Sequence, residues 1–440
     1  MKAFCSAAQI GLLLVAFSIS AYPQACPDSA GCLDGYFGTD GIVITSVNSN
    51  SGNGWANAVA VQSDDKILVA ADSSNRENTN TSDFYVLRYL ADGTLDTSFG
   101  TGGVARVTMT AAADYERPYS LAIQSDGKIL VGGIVVGKSW TAAVARLNSD
   151  GSIDTGFGTS GRVTFTYVNK ENAQVNKIRV ATNGAILLAG TSAGNFGIAR
   201  LLANGKFDTG FNGTGKISIS VSAQKNSQDG GLSDLVIQQD GKYLASGVSS
   251  SGPRQPRSWS LVRLNPNGTL DPGFGSGGKV TNNLGGTWSV ARNLHVYADG
   301  SILAGGDRLT SPYSTYVFIR YLSNGQPDTS FGDNGILTME AGGASRIEGM
   351  FVEADGKIVG AGHWRDPGNT NTNVMIMRLR SDGSMDETFG TGGHTFVDIN
   401  GLNDAGHDLA VQSDGKYVLA GIASLGSSSP SSIGLYRFTR

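Results

Sequence analysis

One phrase, returning along almost the whole chain, constrains this sequence more than anything else in it. It reads Gln124-Ser-Asp-Gly-Lys-Ile-Leu-Val-Gly-Gly133, then Val144-Ala-Arg-Leu-Asn-Ser-Asp-Gly-Ser-Ile-Asp-Thr-Gly-Phe-Gly-Thr-Ser-Gly161. The first half is anchored at Asp65, Gly127, Gly184, Gly241, Gly300, Gly356 and Gly415, 56 to 62 residues apart. The second half is anchored at Asp34, Asp96, Asp154, Asp208, Asp271, Asp328 and Asp386. A fixed period of this size marks stacked units that bury their faces against one another.

Within a unit the short apolar runs Tyr119 to Gln124, Lys128 to Ile134, Thr141 to Asn148 and Arg162 to Tyr167 read as β-strands, separated by Asp-Gly turns and polar loops. Four strands in each of seven units predict an all-β protein, a seven-bladed β-propeller of four-stranded antiparallel blades with repeats of about 58 residues. The two series are offset: the chain opens on a second half and ends on a first half plus one strand. A strand near Gly41 to Val47 is therefore expected to complete the last blade and leave it no open edge. A β-solenoid, the main competitor, would need no such complementary halves. The 62 glycines, and 30 Asp against 7 Glu, suit a turn-rich chain better than a helical one.

The first 25 residues stand apart. Lys2, an apolar run from Ile10 to Ile19 and a break at Pro23 match a secretory signal peptide cleaved between Ser20 and Ala25. The run is half of what a membrane span needs. Lipid anchoring at Cys26 is a weaker reading, because Pro23-Gln24-Ala25 is a poor approach to a lipidated cysteine. Removal of the signal takes Cys5 with it and leaves Cys26 and Cys32, an even pair in an export context and so a disulfide. The expected product is residues 26–440 as a single propeller, secreted, periplasmic or on the cell surface, and monomeric.

Phrases such as Leu95-Asp-Thr-Ser-Phe-Gly-Thr-Gly-Gly103, coupled to Asp-Gly-Lys-Ile-Leu, resemble the delta-60 repeat of secreted bacterial proteins, and the resemblance covers residues 33 to 440. It implies an exported, propeller-like protein. It carries over no catalytic motif and no residue role. The Trp-Asp phrase of WD-type blades and the Trp-docking signature of quinone-dependent dehydrogenase propellers are both missing.

Spacing separates scaffold from site. From Arg88, Arg146, Arg200, Arg263, Arg320, Arg378 and, across the closure, Arg437 paired with Asp34, a recurring Arg and Asp pair is expected; in the six uninterrupted copies the separation is always 8 residues, and a Gly always follows the Asp by 7. Planar guanidinium groups suit carboxylates at tight turns, so Asp96, Asp154, Asp208, Asp271, Asp328 and Asp386 are read as structural partners. Insertions fall elsewhere, in the second-to-third-strand loops and the links between units, so one face is uniform and the other variable. Calcium at Asn148-Ser-Asp150-Gly-Ser-Ile-Asp154 is a sharper alternative. It fails as a repeated site, because the position of Asn148 holds Leu90, Leu202, Leu322 and Arg380 elsewhere.

All five tryptophans fall in or beside the variable segments: Trp55 and Trp288 between units, Trp140, Trp259 and Trp364 around the second-to-third-strand loops. Tyr115, Tyr313, Arg117, Arg254, Arg257, Arg308 and Arg365 join them. Such a mixture is typical of binding surfaces, although each Trp could instead plug space between neighbouring sheets. The four histidines, His295, His363, His394 and His407, form no zinc motif, and neither a nucleophile elbow nor a phosphate loop is present. A formal charge of -4 without a basic run speaks against nucleic acid. The expected function is therefore non-catalytic binding or scaffolding on a glycan or extracellular protein, with no cofactor. The competing class is a polysaccharide hydrolase or lyase in an axial channel, drawing on Asp72, Asp83, Asp114, Glu116, Asp229, Asp307, Asp366 or Asp404.

Overall fold

The computed structural model describes residues 29–47, 54–75, 78–110, 115–168, 171–221, 231–250, 256–310, 313–340, 345–365, 371–426 and 431–440. The expected signal peptide and Cys26 lie outside them. Among the described residues there is no helix, hence none long and apolar enough to cross a membrane.

After the short strand β1 (Ile42–Thr45), a meander holds β2 (Gly54–Val61), β3 (Ile67–Asn75), β4 (Asn78–Tyr89) and β5 (Val104–Val107). The next sheet is β6 (Tyr115–Ile123), β7 (Ile129–Val136), β8 (Trp140–Leu147) and β9 (Arg162–Phe165). The third is β10 (Ala173–Val180), β11 (Ile186–Ser192), β12 (Asn195–Leu201) and β13 (Lys216–Ile219). Two further meanders follow, β14 (Gly231–Ile237), β15 (Tyr243–Ser250), β16 (Arg257–Leu264), β17 (Lys279–Asn282), then β18 (Trp288–Val296), β19 (Ile302–Thr310), β20 (Tyr313–Tyr321), β21 (Ile336–Glu340). A single parallel bridge, Arg257 to Trp288, joins these two into one eight-stranded sheet. Then come β22 (Arg346–Val352), β23 (Ile358–Trp364), β24 (Asn373–Leu379) and β25 (His394–Val397). Last are β26 (Ala405–Val411), β27 (Tyr417–Ser424) and β28 (Ser431–Phe438), and β1 adds to β28 antiparallel, with Ile42 opposite Tyr436 and Thr45 opposite Ile433.

The architecture is all-β and propeller-like. Each second and third strand is enclosed on both faces, which is why β7 reads Ile-Leu-Val-Gly-Gly-Ile-Val-Val without polar alternation. The apolar clusters each lie between two consecutive sheets. One joins β2–β5 to β6–β8 around Phe84, Phe99 and Val131, and another brings β2–β4 against β27 and β28 through Ala56, Val69, Val418 and Ile433. The first strands touch in an unbroken cycle: β2, β6, β10, β14, β18, β22, β26 and back to β2.

The invariant spacing has a concrete cause. Nε of Arg88, Arg146, Arg200, Arg263, Arg320, Arg378 and Arg437 lies 2.7 to 2.8 Å from Asp96, Asp154, Asp208, Asp271, Asp328, Asp386 and Asp34, respectively. Each guanidinium also sits over the Phe of the same turn, 4.5 Å from the Phe157 ring centre for Arg146. Several then reach the next sheet: Arg88 donates to the Ser149 carbonyl at 2.5 Å, Arg200 to Pro266 at 2.5 Å and Arg437 to Ala91. The pair is thus a staple within one turn and between neighbours. Any insertion would break all three contacts, so none is found.

The loop from Asn148 to Asp154 spends its oxygens internally. Asp150 Oδ1 accepts from Ser152 N at 2.9 Å and Oγ at 2.6 Å, while Asp154 Oδ2 accepts from Arg146 and Lys128. Among the described residues no three His, Cys, Asp or Glu side chains gather as metal ligands.

Candidate functional site

Every first strand carries one irregularity at the same place. The register slips at Asn57 in β2, Tyr119 in β6, Asn176 in β10, Ser233 in β14, Arg292 in β18, Glu348 in β22 and His407 in β26. Such bulges leave one residue unpaired and re-aim its side chain. The facing second strand must come close, and a Cβ at Gly190 would fall 2.0 Å from the Gln174 carbonyl oxygen. Glycine also faces five of the other slips, at Gly133, Gly247, Gly306, Gly362 and Gly421, while β3 has Ala71 there. All seven bulged residues are polar and half-buried.

Two groups of charged side chains flank these positions. At β2 and β6, buried Asp72 accepts from Asn57 Nδ2 at 2.6 Å, Tyr115 OH at 3.2 Å and Arg117 Nε at 3.4 Å. Burial pushes the Asp72 carboxyl up, opposed by Arg117, Asn57 and Tyr115. The Arg117 guanidinium lies 4.8 Å from the Trp55 ring centre and 5.1 Å from that of Tyr115. At β18 and β22, Arg292 binds Asp307 and, at 3.2 Å, Glu348 Oε2. Burial raises the Glu348 carboxyl, but the neighbouring charges, Arg292 foremost, outweigh it and hold it below the usual range. Burial drives the His363 imidazole down to about 4, so it is neutral at physiological pH.

The sequence-predicted face is therefore brought together only in part. Trp55, Tyr115 and Arg117 meet, and Trp288 has Arg257 and Arg346 at 5.0 and 5.4 Å from its ring centre. Trp259 is a correction: it is fully buried among Leu244, Leu261 and Ala304, filling the space between two meanders as a core residue. Trp364 is also taken up internally, stacked 4.5 Å from Phe396. Trp140 alone of the five has an exposed ring, 48% accessible. Arg308 donates to the Leu284 carbonyl at 2.8 Å, and the Arg365 amide to Ser345 Oγ at 3.1 Å. Arg254 lies outside the described residues, as does the side chain of Tyr313 at the start of β20. So do Asp114, Asp229 and Asp366.

Sequence reasoning missed Arg292, Arg346, Glu348 and His407. A signal was present: the bulged residue always stands eight positions before the turn anchor, at Asp65 or the corresponding Gly. At that offset the residue type changes from unit to unit while staying polar. An open cleft of about 980 Å³ lies elsewhere, beside β9, lined by Thr108, Thr110, Thr141, Arg162 and Lys206. Its Arg162 is already bound to the carbonyls of Thr108 and Ser160, and it holds none of the bulged residues.

Sheets of four antiparallel strands, stapled by one repeated turn, define a β-propeller-repeat protein. Six segments, 62–99, 124–157, 182–211, 238–274, 298–331 and 353–389, match a family described as a domain of unknown function (DUF5122) beta-propeller. No curated protein matches the chain. Among solved structures, it is similar to a polysaccharide lyase, an ulvan lyase with bound saccharide, at a TM-score of 0.52 and 13% identity over 89% of this chain and 96% of that one. A protein of unknown function from Dyadobacter fermentans aligns at 0.49 and 10% over 90% and 97%. The β-propeller domain of the Trilobed protease from Pyrococcus furiosus aligns at 0.39 and 11% over 88% and 93%. At such identity the ulvan lyase likeness speaks for the fold alone.

Proposed function

We propose that residues 26–440 form one closed seven-bladed propeller of delta-60 repeats, exported, joined near its N-terminus by a Cys26–Cys32 disulfide, monomeric, and acting as a non-catalytic binding protein for a glycan or extracellular protein. The cycle of touching first strands and the addition of β1 to β28 support the closure. The binding reading rests on what the carboxylates of the variable segments do. Asp72 holds Arg117 and Asn57, Asp83 holds Arg106, Glu116 accepts the Met109 and Thr110 amides, Asp307 holds Arg292, and Asp404 accepts the Ile399 and Ser424 amides. Glycosidic chemistry needs a pair of carboxylates free to exchange protons across a substrate. These are instead committed to positioning donors, which is what a binding surface requires.

The second reading, a polysaccharide lyase, is favoured by one observation: Tyr115, Arg117 and His407 stand near the cycle of first strands in a chain whose fold is similar to an ulvan lyase. The mature protein on a glycan and protein-partner array separates the two. Retained ligand without chemical change supports binding, release of unsaturated saccharide supports the lyase, and silence on both arrays removes the binding reading.

A further inference from the structure

We infer that the seven bulged residues together form a ligand site on the axis of the first-strand cycle, and that its ligand is a neutral saccharide. The inference rests on the binding reading above and narrows it. Several of these side chains reach around the cycle to the next first strand. Asn176 Nδ2 donates to the Leu232 carbonyl at 2.6 Å, Arg292 Nη1 to Glu348 at 3.2 Å, and His407 Nδ1 to the Ala56 carbonyl at 2.8 Å. These bonds hold the ring of side chains in place before any ligand arrives, which cuts the ordering cost of binding.

They also fix the chemistry that is left over. A carbonyl only accepts, so His407 donates through Nδ1, which leaves its Nε2 as the ring nitrogen for a ligand. Asn57 spends its amide on Asp72 and the Trp55 carbonyl, which leaves its Oδ1 as an acceptor. Ser233 Oγ has no protein partner among the described residues and can both donate and accept. Arg292 and Arg346 are balanced by Asp307 and Glu348, and Arg117 by Asp72. The ring thus offers both donors and acceptors, with its guanidinium groups already paired to carboxylates and no surplus cation to draw an anion. That pattern matches the hydroxyls of a neutral sugar, each a donor and an acceptor, with the Tyr119 ring as a stacking surface.

The test is affinity of the mature protein for a panel of neutral and uronate-bearing oligosaccharides, with Asn57→Ala, Ser233→Ala and His407→Gln each checked for unchanged melting. Trp140→Ala, on the third strand β8 and outside the first-strand cycle, is the control. Neutral oligosaccharides should bind, each ring variant should weaken them tenfold or more, and the control should not. Independently, the His407 ring signal in NMR, assigned by its loss in His407→Gln, should shift on adding the tightest neutral oligosaccharide. Glycan binding that survives all three ring variants, with no His407 shift, overturns the axial site while leaving the binding reading intact. Preference for the uronate-bearing members overturns the neutral class. Binding of no saccharide, with a protein captured on the array, overturns the inference and keeps the broader reading. No ligand of either kind removes both.

Discussion

Removing Asp271 tests the staple where both partners are enclosed, the side chains of Arg263 and Asp271 being 9% exposed each. Asp271 Oδ2 accepts from Arg263 Nε at 2.7 Å and Lys242 Nζ lies 3.2 Å away, while Oδ1 accepts the Gly273 amide at 3.0 Å. Arg263 continues to the Ser323 carbonyl in the next meander and lies 4.5 Å from the Phe274 ring centre. Asp271→Ala leaves that guanidinium without its counterion and one turn amide without its acceptor. Stranding one member of a buried pair costs about 3–5 kcal/mol. Solvent reaches Lys242 and the rim of the turn, so the lower end, about 3 kcal/mol, is expected. Unfolding entropy of about 2.1 cal/mol/K per residue over about 400 residues converts this to a loss of about 3–4 °C in Tm. Arg263→Lys keeps the charge but cannot span Asp271 and Ser323 together, so an intermediate loss is expected. Calorimetry on Asp271→Ala, Arg263→Ala and the double variant closes the cycle. The double should lose less than the sum of the singles by at least about 1 kcal/mol. Singles melting within a degree of the parent, or strict additivity, would refute the staple.

Gly190→Ala should place a methyl group against the Gln174 carbonyl and disrupt the bulge, so its melting should fall by more than that of Asp271→Ala; an unchanged Tm would show the bulge to be pliable. Trp259→Ala should cost about 3–5 kcal/mol as a core deletion, whereas Trp140→Ala should leave melting within a degree; comparable losses in chemical denaturation would contradict their assigned environments. Asp404, buried against two amides, has its carboxyl raised by burial to about 7, above its unfolded value of 3.8, so its contribution to stability is full below pH 3.8 and is lost as pH rises through 7. Asp404→Asn should flatten that decline in a pH series of melts. The staple carboxylates act in the opposite sense. Burial raises Asp271, but the Gly273 amide, Lys242 and Arg263 outweigh it, and Asp34, Asp96, Asp154, Asp328 and Asp386 are likewise held low. Stability from these groups is present above their unfolded value and lost as pH falls through the depressed one; Asp271→Ala should therefore lose acid sensitivity below about pH 4.

Much of the scaffold could be read from the sequence because it is local. The Arg-to-Asp interval of eight residues and the Asp-to-Gly interval of seven belong to one turn, whose backbone bond from Arg88 N to the Gly103 carbonyl closes over those same residues, so their repetition marks the staple directly. The strand boundaries were less legible. β6 begins at Tyr115, four residues before the expected start, because the bulge at Tyr119 lets pairing continue past an interrupted ladder instead of ending there. The complementary half-repeats at the two ends pointed to the partner of β1, and the structure supplied its register.

The site followed different physics. Trp259 stands four residues before Arg263, a position that is buried in every unit, and Trp140 six before Arg146, yet only the packing of the sheets shows that one fills the gap between two meanders and the other faces solvent. Arg292, Glu348 and His407 are scattered over more than a hundred residues and carry no motif. The sequence placed a polar residue eight positions before every turn. Only the contacts between first strands set those residues on neighbouring strands, because such contacts belong to the packing of all the sheets and to no single repeat.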